Sequence, residues 1–221
     1  MNKFSKRFTL DGPVGKMECM LDLPEGAPRG IALVAHPHPL YGGTMENKVT
    51  QTLARTFVTL GYATARFNFR GVGQSEGEHD RGHGEVDDMA FMLEHMQAEY
   101  PGLPVALSGF SFGTFVQAQL HARLVNEGKP DVIERLVLVG CAAGKWPMPN
   151  VPEDTILIHG ELDDTITLQM VFDWARPQEI PVIVIPGDEP AQLQGSRHLD
   201  RLRQCGEVVL HTDRPVTVEE K

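Results

Sequence analysis

The stretch that decides the fold is Val105-Ala106-Leu107-Ser108-Gly109-Phe110-Ser111-Phe112-Gly113. It opens as a short apolar run typical of a buried strand and closes on the pattern G-x-S-x-G. The apolar residues that recur at every fourth position beyond it are Phe112, Val116, Leu120 and Leu124. This spacing predicts a helix with one buried face. A serine in a tight turn between a strand and a helix is typical of a nucleophile, because two small glycines leave its hydroxyl at the tip of the turn.

Apolar runs and helical patterns alternate on both sides of this stretch. The predicted strands cover 30–35, 62–69, 105–109, 136–139, 156–158 and 182–185, and the predicted helices include 47–60, one ending near residue 100, and one around 169–175. Polar alternation around Asp11-Gly12-Pro13 predicts an antiparallel hairpin over 4–23. Strands that are apolar throughout and separated by helices predict an α/β fold with a mostly parallel, doubly wound sheet. Such sheets carry their chemistry at the carboxyl ends of the strands.

Composition narrows the classes of protein and of partner. The 221 residues carry a net charge of −10 without a basic stripe, which argues against nucleic acid and anionic membranes as partners. No apolar run is long enough for a signal peptide or a membrane span, so we expect a cytoplasmic protein. The three cysteines lie far apart, which argues against a disulfide framework or a zinc site. No linker divides the chain, so a single domain over 1–221 is expected.

A serine nucleophile needs a histidine base that is itself oriented by a carboxylate. The strand at 156–158 is followed by two adjacent carboxylates, Asp163 and Asp164, and either can be the acid. The strand at 182–185 is followed by His198, which gives the chain order Ser111, Asp, His. The backbone N–H of Phe112 lies at the start of a helix, where it can stabilise an oxyanion.

Two further motifs make a family resemblance explicit. They are His36-Pro37-His38-Pro39-Leu40-Tyr41-Gly42-Gly43 and the segment 68–77, NFRGVGQSEG. Together with the serine turn, they resemble the α/β-hydrolase family in its small, lidless, dienelactone-hydrolase-like bacterial branch, from about Gly30 to Gly187. The resemblance implies that Asp163 of the H-G-x-x-D turn is the acid, with Asp164 as the alternative. It also implies that His38 donates the second oxyanion N–H, with Leu40 as the alternative.

The resemblance breaks after Gly187. Members of the family that resemble this chain carry the histidine directly after a P-G-x-D turn, whereas Pro186-Gly187-Asp188 continues here without one. We therefore describe residues 188–221 as a divergent C-terminal tail. An insertion that returns His198 to the site is the first interpretation. A base at His211, or a site without a base, remains an alternative.

About fifteen residues separate the strands at 136–139 and 156–158, where lipases of this fold insert a cap. No cap domain is expected, so the site is predicted to be open. Its predicted lining residues are Tyr41, Met45, Phe112, Trp146 and Met148.

Other signals are discounted as cofactor or metal sites. The third glycine of a dinucleotide motif beginning Gly71-x-Gly73 falls on Glu76, so no dinucleotide cofactor is expected. His36-x-His38 lacks a neighbouring carboxylate or cysteine at ligand spacing, and a structural role is predicted for His36. The segment 76–85, with His79 and His83, is interpreted as a solvated loop. The prediction is therefore no cofactor and no metal.

These observations predict a serine hydrolase that acts on a small-molecule acyl substrate, with a carboxylic ester as the first choice. Thioesters and amides or peptides use the same catalytic residues, so thioesterase and amidase activities remain alternatives. An inactive α/β-hydrolase-like scaffold or binding protein is the alternative from another class, because of the altered tail. No sequence feature specifies an oligomeric state.

Overall fold

The computed structural model describes residues 4–187, which contain eight strands and four α-helices. The strands are β1 (Ser5–Gly12), β2 (Gly15–Asp22), β3 (Gly30–Ala35), β4 (Tyr62–Phe67), β5 (Val105–Phe110), β6 (Ile133–Val139), β7 (Ile156–Gly160) and β8 (Val182–Ile185). The helices are α1 (Lys48–Thr59), α2 (His83–Glu99), α3 (Phe112–Asn126) and α4 (Leu168–Ala175). Short 3₁₀ turns occupy Pro39–Tyr41, Pro130–Val132 and Arg176–Gln178.

All eight strands form one sheet in the order β1-β2-β4-β3-β5-β6-β7-β8. β1 pairs antiparallel with β2, and β2 pairs antiparallel with β4, whereas the pairs from β4 to β8 are parallel. The predicted hairpin and the predicted mostly parallel α/β sheet are therefore confirmed. Strand β4 ends two residues earlier than predicted, and Asn68, the next residue, donates its backbone N–H to the Glu18 carbonyl oxygen at 2.9 Å.

Helices cover both faces of the sheet, which explains why its central strands are buried throughout. On one face, apolar residues of α2, α3 and α4 pack against alternate strand residues, including Leu33 and Leu107. On the other face, Val49, Leu53 and Phe57 of α1 pack with Val34 and the strand residues next to it. The every-fourth-residue stripe predicted for α3 is buried along its whole length.

Backbone hydrogen bonds connect the carboxyl ends of neighbouring strands. The Ser111 N–H donates to the Val139 carbonyl oxygen at 3.0 Å, and the Gly140 N–H donates to the Ile158 carbonyl oxygen at 2.9 Å. The loops that follow β5, β6 and β7 therefore begin side by side at one edge of the sheet. This edge holds Ser111 and Asp163, two of the residues predicted to carry the chemistry.

The connection from β6 to β7, which is described in full, contains no helix, in agreement with the predicted absence of a cap. Within 4–187, no helix combines the length and apolar character needed to cross a membrane. The predicted single domain over 1–221 extends beyond the described residues, as does the predicted tail over 188–221.

Candidate active site

Ser111 occupies a sharp turn between β5 and α3. Its backbone φ is +53° and its ψ is −120°, a conformation that residues other than glycine rarely adopt. A side chain at Gly109 would overlap the backbone of Gly113. A Cβ atom at Gly113 would lie 2.5 Å from the Ala35 carbonyl oxygen. The two glycines are therefore required for the close approach of β3, β5 and α3, as the sequence predicts.

Two buried polar side chains of α3 hold this turn in place. The Thr114 hydroxyl donates to the Ser111 carbonyl oxygen at 2.6 Å and accepts from the Ala142 N–H at 2.9 Å. The Gln117 amide donates to the carbonyl oxygens of Leu33 and Ser108, each at 2.9 Å. Sequence reasoning missed both residues, because a polar side chain on an amphipathic helix is ordinarily assigned to the solvent face.

The two amides predicted to stabilise an oxyanion make no hydrogen bond within the described chain. These are the backbone N–H groups of Phe112 and His38. By contrast, the N–H of Leu40 donates to His38 Nδ1 at 3.2 Å. Leu40, the alternative donor, already has a partner, so the geometry favours His38.

His36 is a buried structural residue, as predicted. Its Nδ1 lies 2.6 Å from the Pro37 carbonyl oxygen, and its Nε2 lies 2.9 Å from the Phe69 backbone nitrogen, whose N–H it accepts. One nitrogen thus donates and the other accepts, which describes a neutral imidazole. Burial lowers the pKa of His36 to about 4, so the ring stays neutral near pH 7.

Asp163 is buried in the turn after β7, whereas Asp164 is exposed. The Asp163 Oδ1 atom accepts from the N–H groups of Thr165 and Ile166, at 3.0 and 2.8 Å. Its Oδ2 lies 3.7 Å from His159 Nε2. Because the turn fixes the orientation of the Asp163 carboxylate, the geometry favours Asp163 over Asp164 as the orienting acid.

The histidine of the H-G-x-x-D turn has a structural role. His159 is fully buried, and its Nε2 contacts the Ile166 carbonyl oxygen at 2.8 Å. Next to this turn, the Gly187 N–H donates to Glu161 Oε2 at 3.0 Å, so the described chain ends beside the candidate acid. His198 and His211, the two candidate bases, lie outside the described residues.

The prediction of a solvated loop over 76–85 is wrong for the last three residues, which belong to α2. Glu85 is fully buried, and its carboxylate accepts from the N–H groups of Asp80 and Gly82 at 3.0 and 2.8 Å. The same carboxylate lies 2.7 Å from Nδ1 of His79. Burial is tolerated because several donors satisfy the charge of Glu85.

Aromatic rings surround the His38 side chain next to the serine turn. Their centroids lie 4.8 to 5.6 Å from that of His38, and the residues are Tyr41, His79, Phe112 and Trp146. Tyr41 is exposed, and Trp146 and Met148 are half-buried. The predictions that Met45 and Phe112 line the site are wrong, because the Phe112 ring is 1% exposed and belongs to the core. Met45 is fully buried, and its N–H donates to Asn68 while its carbonyl oxygen accepts from Arg66.

The motif at 68–77 anchors the loop that leads to His79. The Arg70 guanidinium donates to both carboxylate oxygens of Asp88, at 2.9 and 2.8 Å, in a buried ion pair. The Asn68 amide donates to Glu18 at 2.7 Å, and the Ser75 hydroxyl donates to the Asn68 carbonyl oxygen at 2.6 Å. These contacts give the motif a structural role.

The described cysteines are unsuited to nucleophilic chemistry. Cys19 and Cys141 are buried free thiols, and burial raises the pKa of each to about 12. Neither forms an appreciable thiolate near neutral pH. Among residues 4–187, no three His, Cys, Asp or Glu side chains converge as metal ligands.

Known proteins are similar to this chain in both sequence and fold. The family model described as Serine aminopeptidase, S33 matches residues 26–172, more than half of the chain. A lidless α/β serine hydrolase from Xanthomonas campestris, whose crystal structure is known, is 33% identical with a TM-score of 0.84. That match covers 98% of each chain.

Two curated proteins match shorter segments. An uncharacterized protein of Rickettsia prowazekii is 43% identical over 114 residues, which cover 51% of this chain and 48% of that protein. Human monoglyceride lipase is 35% identical over 98 residues, which cover 43% of this chain and 31% of the lipase. The matches thus span about half the length of the first relative and about a third of the second.

Proposed function

The chain belongs to the serine aminopeptidase S33 family of α/β-hydrolases. Within the serine hydrolase chemistry of this family, we propose that the chain cleaves small carboxylic esters. The observation that carries the proposal is the backbone of Ser111, held at a φ of +53° at the start of α3. This conformation leaves the serine hydroxyl at the tip of the turn, and we assign the backbone N–H groups of Phe112 and His38, which have no acceptor within the described chain, to the oxyanion.

In the proposed reaction, Ser111 Oγ attacks the carbonyl carbon of the ester while His198 accepts the hydroxyl proton. The carbonyl oxygen becomes an oxyanion, and the N–H groups of Phe112 and His38 donate to it. Because the Phe112 amide lies at the N-terminus of α3, the helix dipole adds to this stabilisation.

The tetrahedral intermediate collapses when the bond to the alcohol breaks and His198 returns its proton to the leaving oxygen. Water then attacks the acyl group on Ser111, with His198 again accepting a proton, and the acid is released. Asp163 orients the imidazole of His198 and stabilises its positive charge. The fixed carboxylate of Asp163 supports this assignment.

The position of Gly187 supports His198 as the base. Gly187 is hydrogen-bonded to Glu161, two residues before Asp163 in the turn after β7. Eleven residues of fully extended chain span at most roughly 40 Å, which leaves ample length to return a histidine to the acid.

The test is covalent labelling with a fluorophosphonate, followed by measurement of the intact mass. The proteins are the wild type, Ser111→Ala, His198→Ala and, as the matched control, His211→Ala. We expect labelling of the wild type and of His211→Ala only. Hydrolysis of a small aryl ester is expected to fall by roughly 10⁶-fold in Ser111→Ala.

Matched ester, thioester and anilide substrates with one acyl group identify the leaving group that the site accepts. The proposal requires the ester to give the highest Ser111-dependent kcat/KM. A folded wild type that remains unlabelled would contradict it and favour a non-catalytic scaffold. Labelling that is lost in His211→Ala and kept in His198→Ala would move the base to His211.

A further inference from the structure

The Glu85 carboxylate holds the ring of His79 in one orientation. This buried carboxylate accepts two backbone N–H groups and lies 2.7 Å from Nδ1 of His79. A carboxylate accepts hydrogen bonds, so Nδ1 of His79 carries the hydrogen. When the ring carries a single hydrogen, the other nitrogen, Nε2, is the hydrogen-bond acceptor.

His79 stands beside both residues whose amides we assign to the oxyanion. Its ring centroid lies 4.9 Å from that of His38 and 5.5 Å from that of Phe112. The Nε2 atom makes no hydrogen bond to any residue between 4 and 187. The side chain is 11% exposed, so part of the ring reaches the surface. His79 therefore offers an oriented hydrogen-bond acceptor next to the serine turn.

The surroundings of this acceptor are aromatic. The His38 ring packs against Tyr41, which is 87% exposed, and against the half-buried Trp146, with centroid distances of 4.8 and 5.6 Å. Aromatic faces favour a bound aromatic ring over other groups of similar size, because offset and edge contacts add to apolar burial. A hydrogen-bond acceptor among aromatic side chains favours an aromatic substrate ring that carries a hydrogen-bond donor.

We infer that His79 is a specificity-determining residue for aromatic substrates. Its Nε2 accepts a hydrogen bond from a hydroxyl or N–H group on the aromatic part of the ester, and the rings of Tyr41 and Trp146 contact that aromatic part. Glu85 is the positioning residue that fixes the tautomer of His79. The inference rests on the proposed function and names the substrate class of the same site.

The experiment compares kcat/KM for methyl esters of benzoate, of the three hydroxybenzoate isomers and of the matching methoxybenzoates. A methoxy group has similar electronic character to a hydroxyl and lacks the donor. We expect the wild type to prefer at least one hydroxybenzoate over its methoxy partner by about 10- to 100-fold. His79→Phe keeps an aromatic ring and removes the acceptor, so this ratio is expected to fall to about 1.

Two further variants separate the hydrogen bond from the stability of the loop. In Glu85→Gln, the side-chain amide can present a donor to Nδ1, which favours the tautomer with hydrogen on Nε2, and the ratio is again expected to fall to about 1. His95→Phe is the matched control, because His95 lies on α2 and its ring packs against Phe8. It is expected to keep the wild-type ratio. Thermal unfolding of each variant reports whether the fold is retained.

The outcomes distinguish this inference from the proposed function. Turnover that depends on Ser111, with equal ratios in wild type and His79→Phe, overturns the inference alone. An equal loss on all esters in His79→Phe also overturns it, because the residue then serves the chemical step or the fold. A wild type without Ser111-dependent turnover overturns both proposals.

Discussion

The Pro37 carbonyl oxygen lies 2.6 Å from Nδ1 of the buried His36, and this contact fixes the peptide that ends in the N–H of His38. A trans peptide is planar, with its C=O and N–H pointing in opposite directions. Because the carbonyl points toward the His36 ring, the N–H of His38 points away from it. His36 therefore orients the amide that we assign to the oxyanion.

We expect His36→Phe to slow the chemical step. Phenylalanine fills a similar volume but cannot donate to Pro37, so the His38 peptide loses its fixed orientation. Loss of one oxyanion donor reduces kcat by about 100- to 1000-fold in enzymes of this type. Steady-state kinetics with a small aryl ester are expected to show a lower kcat and a KM within a few-fold of wild type. A change confined to KM would show that His36 serves substrate binding instead.

His36 also makes stability depend on pH. Burial lowers its pKa from 6.5 to about 4, so between these values the unfolded chain binds a proton that the folded chain does not. Stability rises with pH wherever the unfolded state binds more protons. The contribution is complete above pH 6.5 and is lost as the pH falls toward 4, by about 3 kcal/mol in total.

Urea unfolding at several pH values between 7 and 4 measures this contribution. His36→Phe is expected to show a shallower loss of unfolding free energy than the wild type, and His95→Phe is expected to follow the wild type. Parallel curves for His36→Phe and wild type would assign the acid sensitivity to other groups.

The adjacent residues Asp163 and Asp164 allow the role of the orienting acid to be tested with two matched variants. Asp163→Asn retains an oxygen that can accept the N–H groups of Thr165 and Ile166, so the turn is expected to survive while the charge is lost. We expect kcat to fall by about 10⁴-fold, as for other carboxylates that orient a catalytic histidine. Asp164→Asn is expected to stay within about 3-fold of wild type, because that carboxylate is exposed and its hydrogen bond within the described chain is to the neighbouring Thr165. Equal kcat values for the two variants would remove Asp163 from the proposed triad.

The strands and the serine turn are readable from sequence because their causes are local. A strand covered on both faces is apolar along its length, as in β3 and β5. The turn at Ser111 needs glycine on both sides because backbone atoms of neighbouring elements approach there. Patterns of this kind can be recognised from the local sequence alone.

Buried polar groups are not readable in this way. Glu85 belongs to a polar, glycine-rich segment, and only the folded loop places the Asp80 and Gly82 amides around its carboxylate. Met45 is an apolar residue in a loop near the predicted site, which favours a lining role. Asn68 and Arg66, more than twenty positions away, instead hydrogen-bond its backbone inside the fold. Burial of these residues depends on partners that are distant in sequence, so periodicity does not report it.

The backbone of Ser111 predicts a conflict between stability and activity. Any side chain at a φ of +53° and a ψ of −120° is strained by about 1 to 3 kcal/mol, whereas glycine adopts this conformation without steric cost. Both Ser111→Ala and Ser111→Gly lack the nucleophile and are expected to be inactive. They differ in strain, because alanine keeps the Cβ atom.

Glycine also increases the entropy of the unfolded chain, which opposes the relief of strain by about 0.4 to 1 kcal/mol. We therefore expect the unfolding free energy of Ser111→Gly to exceed that of Ser111→Ala by about 1 kcal/mol in urea titrations. Ala118→Gly, within α3 and without strain to relieve, is the control and is expected to lose at least about 1 kcal/mol. If Ser111→Gly were less stable than Ser111→Ala by a similar amount, the turn would hold no strain, and the serine would occupy it at no cost in stability.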